Sequence, residues 1–186
     1  FYRIKGIFAD SDGRIVTPNN IIAKVSRIEI ARQFFSPPPE KLVNFLLEKG
    51  LITQQEADLS PYIPMAQDLT AEADSGGHTD NRPALALLPT MIALKNEFMD
   101  IHNYKEPLCV GLAGGIATPE SAAAAFGMGA AYILTGSVNQ SCVEAGICDT
   151  VKKMLCQAEQ ADVAMAPAAD MFEIGARVQV LKRGTL

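Results

Sequence analysis

A chain of 186 residues with 48% apolar side chains has the size and content of one packed domain, which speaks against a disordered or low-complexity protein. Its 16 basic and 21 acidic side chains give a net charge of −5, a balance that argues against broad nucleic-acid or anionic-membrane binding. No apolar run reaches the roughly 18 residues that a membrane span needs. The four cysteines, at 109, 142, 148 and 156, lack C-x-x-C spacing, so reduced, buried thiols in a cytoplasmic protein are expected rather than disulfides or a metal site.

Residues 1 to 25 read as two β-like runs, Tyr2 to Phe8 and Arg14 to Val16, about the turn Ser11-Asp12-Gly13. The run Ile21 to Ser26 that follows is apolar enough for a buried parallel strand. Lys24 interrupts it. A lysine there is costly unless its ammonium reaches water or an anion, so a solvent-reaching stem is the default and a ligand contact the sharper alternative. Ile28 to Phe35 has helical spacing and is broken by Ser36-Pro37-Pro38-Pro39. Pro39 then opens a helix with Leu42, Val43, Leu46 and Leu47 on one face, and Thr53-Gln54-Gln55-Glu56 spells a capping box for another. Residues 36 to 65 are thus expected as an inserted helical hairpin whose apolar stripe serves packing.

The next strand, ending in Asp68-Leu69-Thr70-Ala71, and a helix over Pro83 to Asn96 enclose a small, polar loop that carries Gly76, Gly77 and His78. Adjacent glycines let a backbone come close to a ligand, and a histidine exchanges protons near neutral pH. His102 lies in the polar linker Asp100 to Glu106 and reads as a solvated loop residue. Pro107 to Ile116 is a strand running into the pair Gly114-Gly115. Thr118, Pro119 and Glu120 then begin a helix, and Ala131 to Leu134 opens into Thr135-Gly136-Ser137. Two glycine loops after consecutive strands suit a phosphate, held by freed amides and a following helix start; tight turns and helix–sheet packing are the plainer alternative. The tail holds a helix over Thr150 to Gln160, an Ala/Met/Pro-rich segment to Met171, a β-like run Arg177 to Leu181 and a solvated basic end, Arg177, Lys182 and Arg183.

Four stretches together carry a resemblance: Glu72 to Pro83, Gly114 to Glu120, Thr135 to Gln140 and Ala166 to Glu173. They resemble the PfaD-type trans-acting enoyl reductases of polyunsaturated fatty acid and polyketide synthases, within the wider group of nitronate monooxygenases and FabK-like enoyl reductases. The resemblance implies an α/β fold, a (β/α)8 TIM barrel carrying FMN. This chain would supply roughly the C-terminal half, with strands at Ala23–Ser26, Leu69–Ala73, Leu108–Ala113 and Ala131–Thr135. Residues 1–186 would then be part of one flavin-binding domain, with 36–65 as insert and 149–186 as C-terminal extension. The first barrel strands would precede Phe1 and a helical segment follow Leu186. A half barrel leaves two unpaired edges, so a longer protein, or completion by another chain, is expected.

The implied activity is NADPH-driven reduction of an enoyl thioester on an acyl carrier protein, within a polyketide or fatty acid synthase complex; a homodimer stays open. The resemblance implies the FMN phosphate at Gly114, Gly115, Gly136 and Ser137, and close approach of the flavin at Gly76 and Gly77. It matches His78 to the group's active-site histidine, as proton donor or as the group orienting the thioester carbonyl. Asp80 and Asp74 are the candidates for fixing its tautomer, and Lys24 for a further cofactor contact. A nitronate monooxygenase and a non-catalytic scaffold subunit are the rival readings. An inosine monophosphate dehydrogenase-like enzyme is less favoured, because Cys142, the nearest candidate nucleophile, lies beyond the Gly136 loop.

Overall fold

The structure, a computed structural model, describes residues 1–182, so Arg183 and the end of the expected basic cluster lie outside it. Two units divide the chain: Phe1–Thr70 with Pro89–Gly111, and Ala71–Leu88 with the chain from Leu112 onward.

In the first unit, Asp10 Oδ1 accepts from the N–H groups of Asp12 and Arg14, both at 2.9 Å, and Gly13 takes φ +76, closing a hairpin of β1 (Phe8–Ala9) and β2 (Ile15–Val16). The expected strand from Tyr2 is instead a turn, in which Ile4 and Lys5 N–H donate to the Phe1 carbonyl. Arg3 explains the departure. Only 4% exposed, it must satisfy its donors internally: Nε donates to Pro64 O at 2.9 Å, and Nη1 to Asn19 O at 2.9 Å and Asn20 Oδ1 at 3.1 Å. Burial lowers its pKa, against the opposing pull of Asp68 and Tyr104.

Strand β3 (Ile22–Val25) alternates, with Ala23 and Val25 buried and Ile22 and Lys24 exposed, so it is not the strand buried on both faces that its composition suggests. Helix α1 (Ile28–Phe35) buries Ala31 and Phe35 and stops at Ser36, ahead of the prolines. In α2 (Glu40–Glu48) Val43 reaches the core, whereas Leu42 and Phe45 stay 55% and 52% exposed, which corrects the expected stripe at Leu42. Helix α3 (Gln54–Leu59) begins with the expected capping box: Glu56 N–H donates to Thr53 Oγ1 at 3.2 Å and Thr53 N–H to Glu56 Oε2 at 2.6 Å. Val43, Ile52, Ala57 and Ile63 share one core cluster with Ile4 and Ile7, so the helical hairpin packs on the N-terminal turn.

Strands β4 (Asp68–Glu72) and, after the short β5 (Gly77–His78) and helix α4 (Ala84–His102), β6 (Cys109–Ala113) and β7 (Ile133–Leu134) complete a four-stranded sheet in the order β3-β4-β6-β7. Cys109 N–H donates to Gln67 O and Ala73 N–H to Ala113 O, so β4 and β6 run the same way, and β6 pairs β7 in parallel. Helix α4 outlasts its expected end at Asn96 because Leu87, Leu88, Met91, Leu94 and Phe98 keep one buried face. His102 therefore ends a helix rather than sitting in a linker. Its ring stacks on Tyr104 at 5.1 Å, whose buried hydroxyl donates to Phe35 O at 2.8 Å and has its pKa raised by that burial.

The second unit adds α5 (Pro119–Gly127), α6 (Ser137–Gln140), α7 (Asp149–Cys156) and two strands, β8 (Val163–Pro167) and β9 (Arg177–Leu181). Strand β8 falls in the Ala/Met/Pro-rich segment, to which the sequence pattern assigns no element. It pairs β9, which pairs β5, giving an antiparallel sheet in the order β5-β9-β8. All four cysteines are free, as expected, yet Cys142, Cys148 and Cys156 are exposed, because α7 and its approach bury no residue. Cys109 is half-buried, and burial beside Asp68 raises its pKa. Among the described residues no helix is long and apolar enough to cross a membrane, and no cluster could hold a metal ion.

Glu56 closes more than its cap: its other oxygen accepts from Gly6 N–H, and Lys5 Nζ lies 3.6 Å from Oε2. Desolvation raises its pKa, but the amide donors from Thr53 and Gly6 prevail and hold it below the ordinary carboxylate value. A lowered folded pKa means stability present above the unfolded value and lost as pH falls through the folded one. Glu56→Gln should therefore cost about 2 kcal/mol at pH 7. Urea titrations should show this difference shrinking in acid; an unchanged difference would refute the assignment.

Candidate active site

The ends of β4, β6 and β7 are drawn together in the second unit by glycines. Gly114, at φ +95, has no room for a side chain: a Cβ there would stand 2.6 Å from both the Ala73 and Asp74 carbonyl oxygens. The loop after β6 thus closes directly on the end of β4. Gly76 meets the β7 side, where its Cβ would lie 3.2 Å from Ser137 Oγ. Gly77 (φ +83), Gly115 (φ +70) and Gly136 face open space. Of the residues singled out from the sequence, the structure thus brings Gly76 to Ser137 and sets Gly114 on the strand end that leads to them. Lys24 belongs to the first unit, on the exposed face of β3.

The two glycine loops differ as anion sites. The start of α5 consumes its own donors: Ser121 N–H bonds Thr118 Oγ1 at 3.2 Å, Ser121 Oγ accepts from Ala117 and Thr118 N–H at 3.1 and 3.0 Å, and Pro119 has no N–H. The helix start expected to serve a phosphate beyond Gly114 and Gly115 is therefore capped by its own side chains. By contrast α6 has Gly136 as N-cap and no side-chain cap, so its first amides lack intrahelical acceptors. Asn139 braces this turn by bonds to Thr135 Oγ1 at 3.0 Å and Thr135 O at 3.1 Å. Open space over Gly115 and Gly136, with uncapped amides at Ser137, fits a phosphate-bearing cofactor on the β7 side of the site.

His78 sits on β5, opposite Val178 of β9, with Gly77 opposite Gln179. Its side chain is 49% exposed, and its Nε2 lies 3.4 Å from Asp170 Oδ1, on the loop joining β8 to β9. Asp74 has another task than fixing the ring. Its Oδ1 accepts from Asn81 Nδ2 at 2.8 Å, Thr79 Oγ1 at 3.3 Å and Gln179 Nε2 at 3.3 Å, while its N–H donates to Arg82 O at 2.8 Å. It ties the two ends of the histidine loop to each other and to β9. Asp170 and Gln179 are the site residues that sequence reasoning missed; Asp170 stands within the stretch Ala166 to Glu173, the one signal that pointed there.

No family model matches the chain. It is 51% identical over 183 residues to the polyketide biosynthesis protein PksE of Bacillus subtilis, covering 98% of this chain and 24% of that protein. It is 49% identical over 187 residues to a polyunsaturated fatty acid synthase subunit of a Thraustochytrium species, covering 100% of this chain and 12% of that subunit. The enoyl reductase domain of MlnA, from the macrolactin biosynthesis cluster of Bacillus amyloliquefaciens, superposes with a TM-score of 0.94 at 45% identity, over 100% of this chain and 42% of that one. FabK from Thermotoga maritima superposes with a TM-score of 0.55 at 20% identity over 89% of this chain, a likeness of fold alone. The chain spans 24% or less of these two curated relatives' lengths. The fold is α/β, with the MlnA enoyl reductase domain and, by fold alone, FabK as structural neighbours. The chain is a homologue of these polyketide and polyunsaturated fatty acid synthase proteins and of the MlnA enoyl reductase domain, matching a segment of each, and in this it keeps the PfaD-type resemblance of its motifs.

The glycine geometry sets a ranking. Gly114→Ala combines strain with a clash against backbone and should cost more than about 3 kcal/mol. Gly115→Ala meets only the left-handed backbone, about 1–2 kcal/mol. Thermal unfolding of both variants checks this, and equal losses would sink the close-packing argument.

Proposed function

We propose that the protein is an FMN-dependent, NADPH-driven enoyl reductase acting in trans on enoyl thioesters carried by an acyl carrier protein. Likeness to the MlnA enoyl reductase domain over the full chain carries this reading. The presence of His78, Gly76, Ser137 and Gly114 in one unit supports it. In this reading residues 1–186 form roughly the C-terminal half of a (β/α)8 flavin-binding barrel, with 36–65 as helical insert and 149–186 as C-terminal extension. We place it in the cytoplasm, where free thiols persist, with a synthase complex as partner and a homodimer as one assembly.

The chemistry that a bound FMN supplies is relay of hydride from NADPH to the β-carbon of the enoyl thioester. The turn at Gly136 and Ser137 would hold the phosphate, with Gly114 and Gly115 shaping the neighbouring loop. Gly76 and Gly77 would keep the histidine loop thin enough for a flavin to approach. His78 gives a proton to the α-carbon or steadies the thioester carbonyl.

The visible spectrum is the first test. The purified protein should carry flavin bands, bleached anaerobically by NADPH; bleaching by an alkyl nitronate alone, or failure to take up FMN, would sink the reading in favour of the oxygenase or the scaffold. His78→Ala should keep the spectrum and lose about 100-fold or more in enoyl reduction. Gly136→Ala, at φ −122 with open space beyond, should fold normally and bind FMN about tenfold or more weakly, ~1.4 kcal/mol.

A further inference from the structure

We propose that Asp170 is a positioning residue for His78, an inference that rests on the proposed reductase role of that histidine. Two contacts from the tail converge on the ring's residue: β9 holds its backbone through the pair His78 and Val178, and Asp170 Oδ1 stands 3.4 Å from Nε2. The backbone loop that carries the carboxylate is closed by its own hydrogen bonds. Pro167 ends β8, Ala168 is fully buried and donates its N–H to Ala176 O at 2.9 Å, and Ala176 N–H returns to Met171 O at 3.2 Å about Gly175, at φ +76. Asp170 rides on this short closed loop beside the ring.

With side chains 49% and 69% exposed, the pair contributes little to stability. Its consequence is directional. A carboxylate at Nε2 accepts that N–H and turns Nδ1 toward the substrate. The ring that gives its Nδ1 proton to the α-carbon, while hydride reaches the β-carbon, is left as the neutral Nε2–H tautomer on Asp170. A solvent proton then restores Nδ1–H, so the carboxylate keeps one orientation through the cycle and loses no proton itself. The 3.4 Å separation is the loose geometry of a contact that tightens around substrate.

The test uses the holoenzyme. Asp170→Asn should lower kcat on the order of tenfold, part of what a positioned acid supplies, with the flavin spectrum and the KM for an enoyl thioester kept. Asp170→Glu should recover part of the loss, and Asp170→Asn should cost nothing further in a His78→Ala background. NMR of 15N-histidine protein reads the same contact without turnover, His78 being told from His102, the other histidine, by the His78→Ala spectrum. At a pH where the ring is neutral, wild type should show the Nε2–H tautomer and Asp170→Asn a mixture. Unchanged kcat, additive losses in the double variant, or loss of flavin with kcat kept would overturn the proposal. Should wild type reduce no enoyl thioester, the reductase reading fails and the tautomer decides this one: a shift in Asp170→Asn upholds positioning, an unmoved ring overturns it.

Discussion

The site depends on one steric constraint, the absence of a Cβ at residue 114. Because the Ala73 and Asp74 carbonyls occupy the space it would fill, the turn after β6 lies directly on the end of β4. The Ala73 N–H to Ala113 O bond, 2.8 Å, is the last rung before this closure. Asp74 comes next, and from it the histidine loop is strung by hydrogen bonds to Asn81, Thr79 and Gln179. The placement of His78 is thus inherited from backbone packing a few residues away.

Around that constraint the glycines divide their work. Gly114 serves backbone packing and Gly76 makes room for Ser137, while Gly77, Gly115 and Gly136 front open space. The helix starts divide likewise, α5 being capped from within by Thr118 and Ser121 and α6 by no side chain. The helix start left without a side-chain cap therefore lies on the β7 side, where main-chain amides suit a negative ligand without calling on a basic side chain.

Local chemistry was legible in the sequence. The Thr53 and Glu56 box, the Thr118 cap, the bounds of α1 and the strand runs leading into each glycine loop all follow from patterns within a few residues. What was hidden depends on distant partners. Val163-Ala-Met-Ala-Pro167 has one β-branched residue and becomes a strand only because β9 lies beside it. Gly77 and His78 likewise are a strand only by pairing with residues of the tail. Arg3 turned a β-like run into a turn because its guanidinium found three acceptors far along the chain. Asp170 was unreadable as the carboxylate at His78 for the same reason, and the nearer Asp74 and Asp80 were the natural guesses.

The bond from Gln179 to Asp74 joins residues 105 positions apart. Since a chain is made from its N-terminus, the histidine loop leaves the ribosome long before the strand that borders it exists, and closing so distant a contact is among the slow steps of folding. The histidine loop is consequently one of the last parts of this chain to take shape. Synthesis itself acts as a checkpoint: a polypeptide cut short before β9 keeps His78 but lacks the strand with which it pairs.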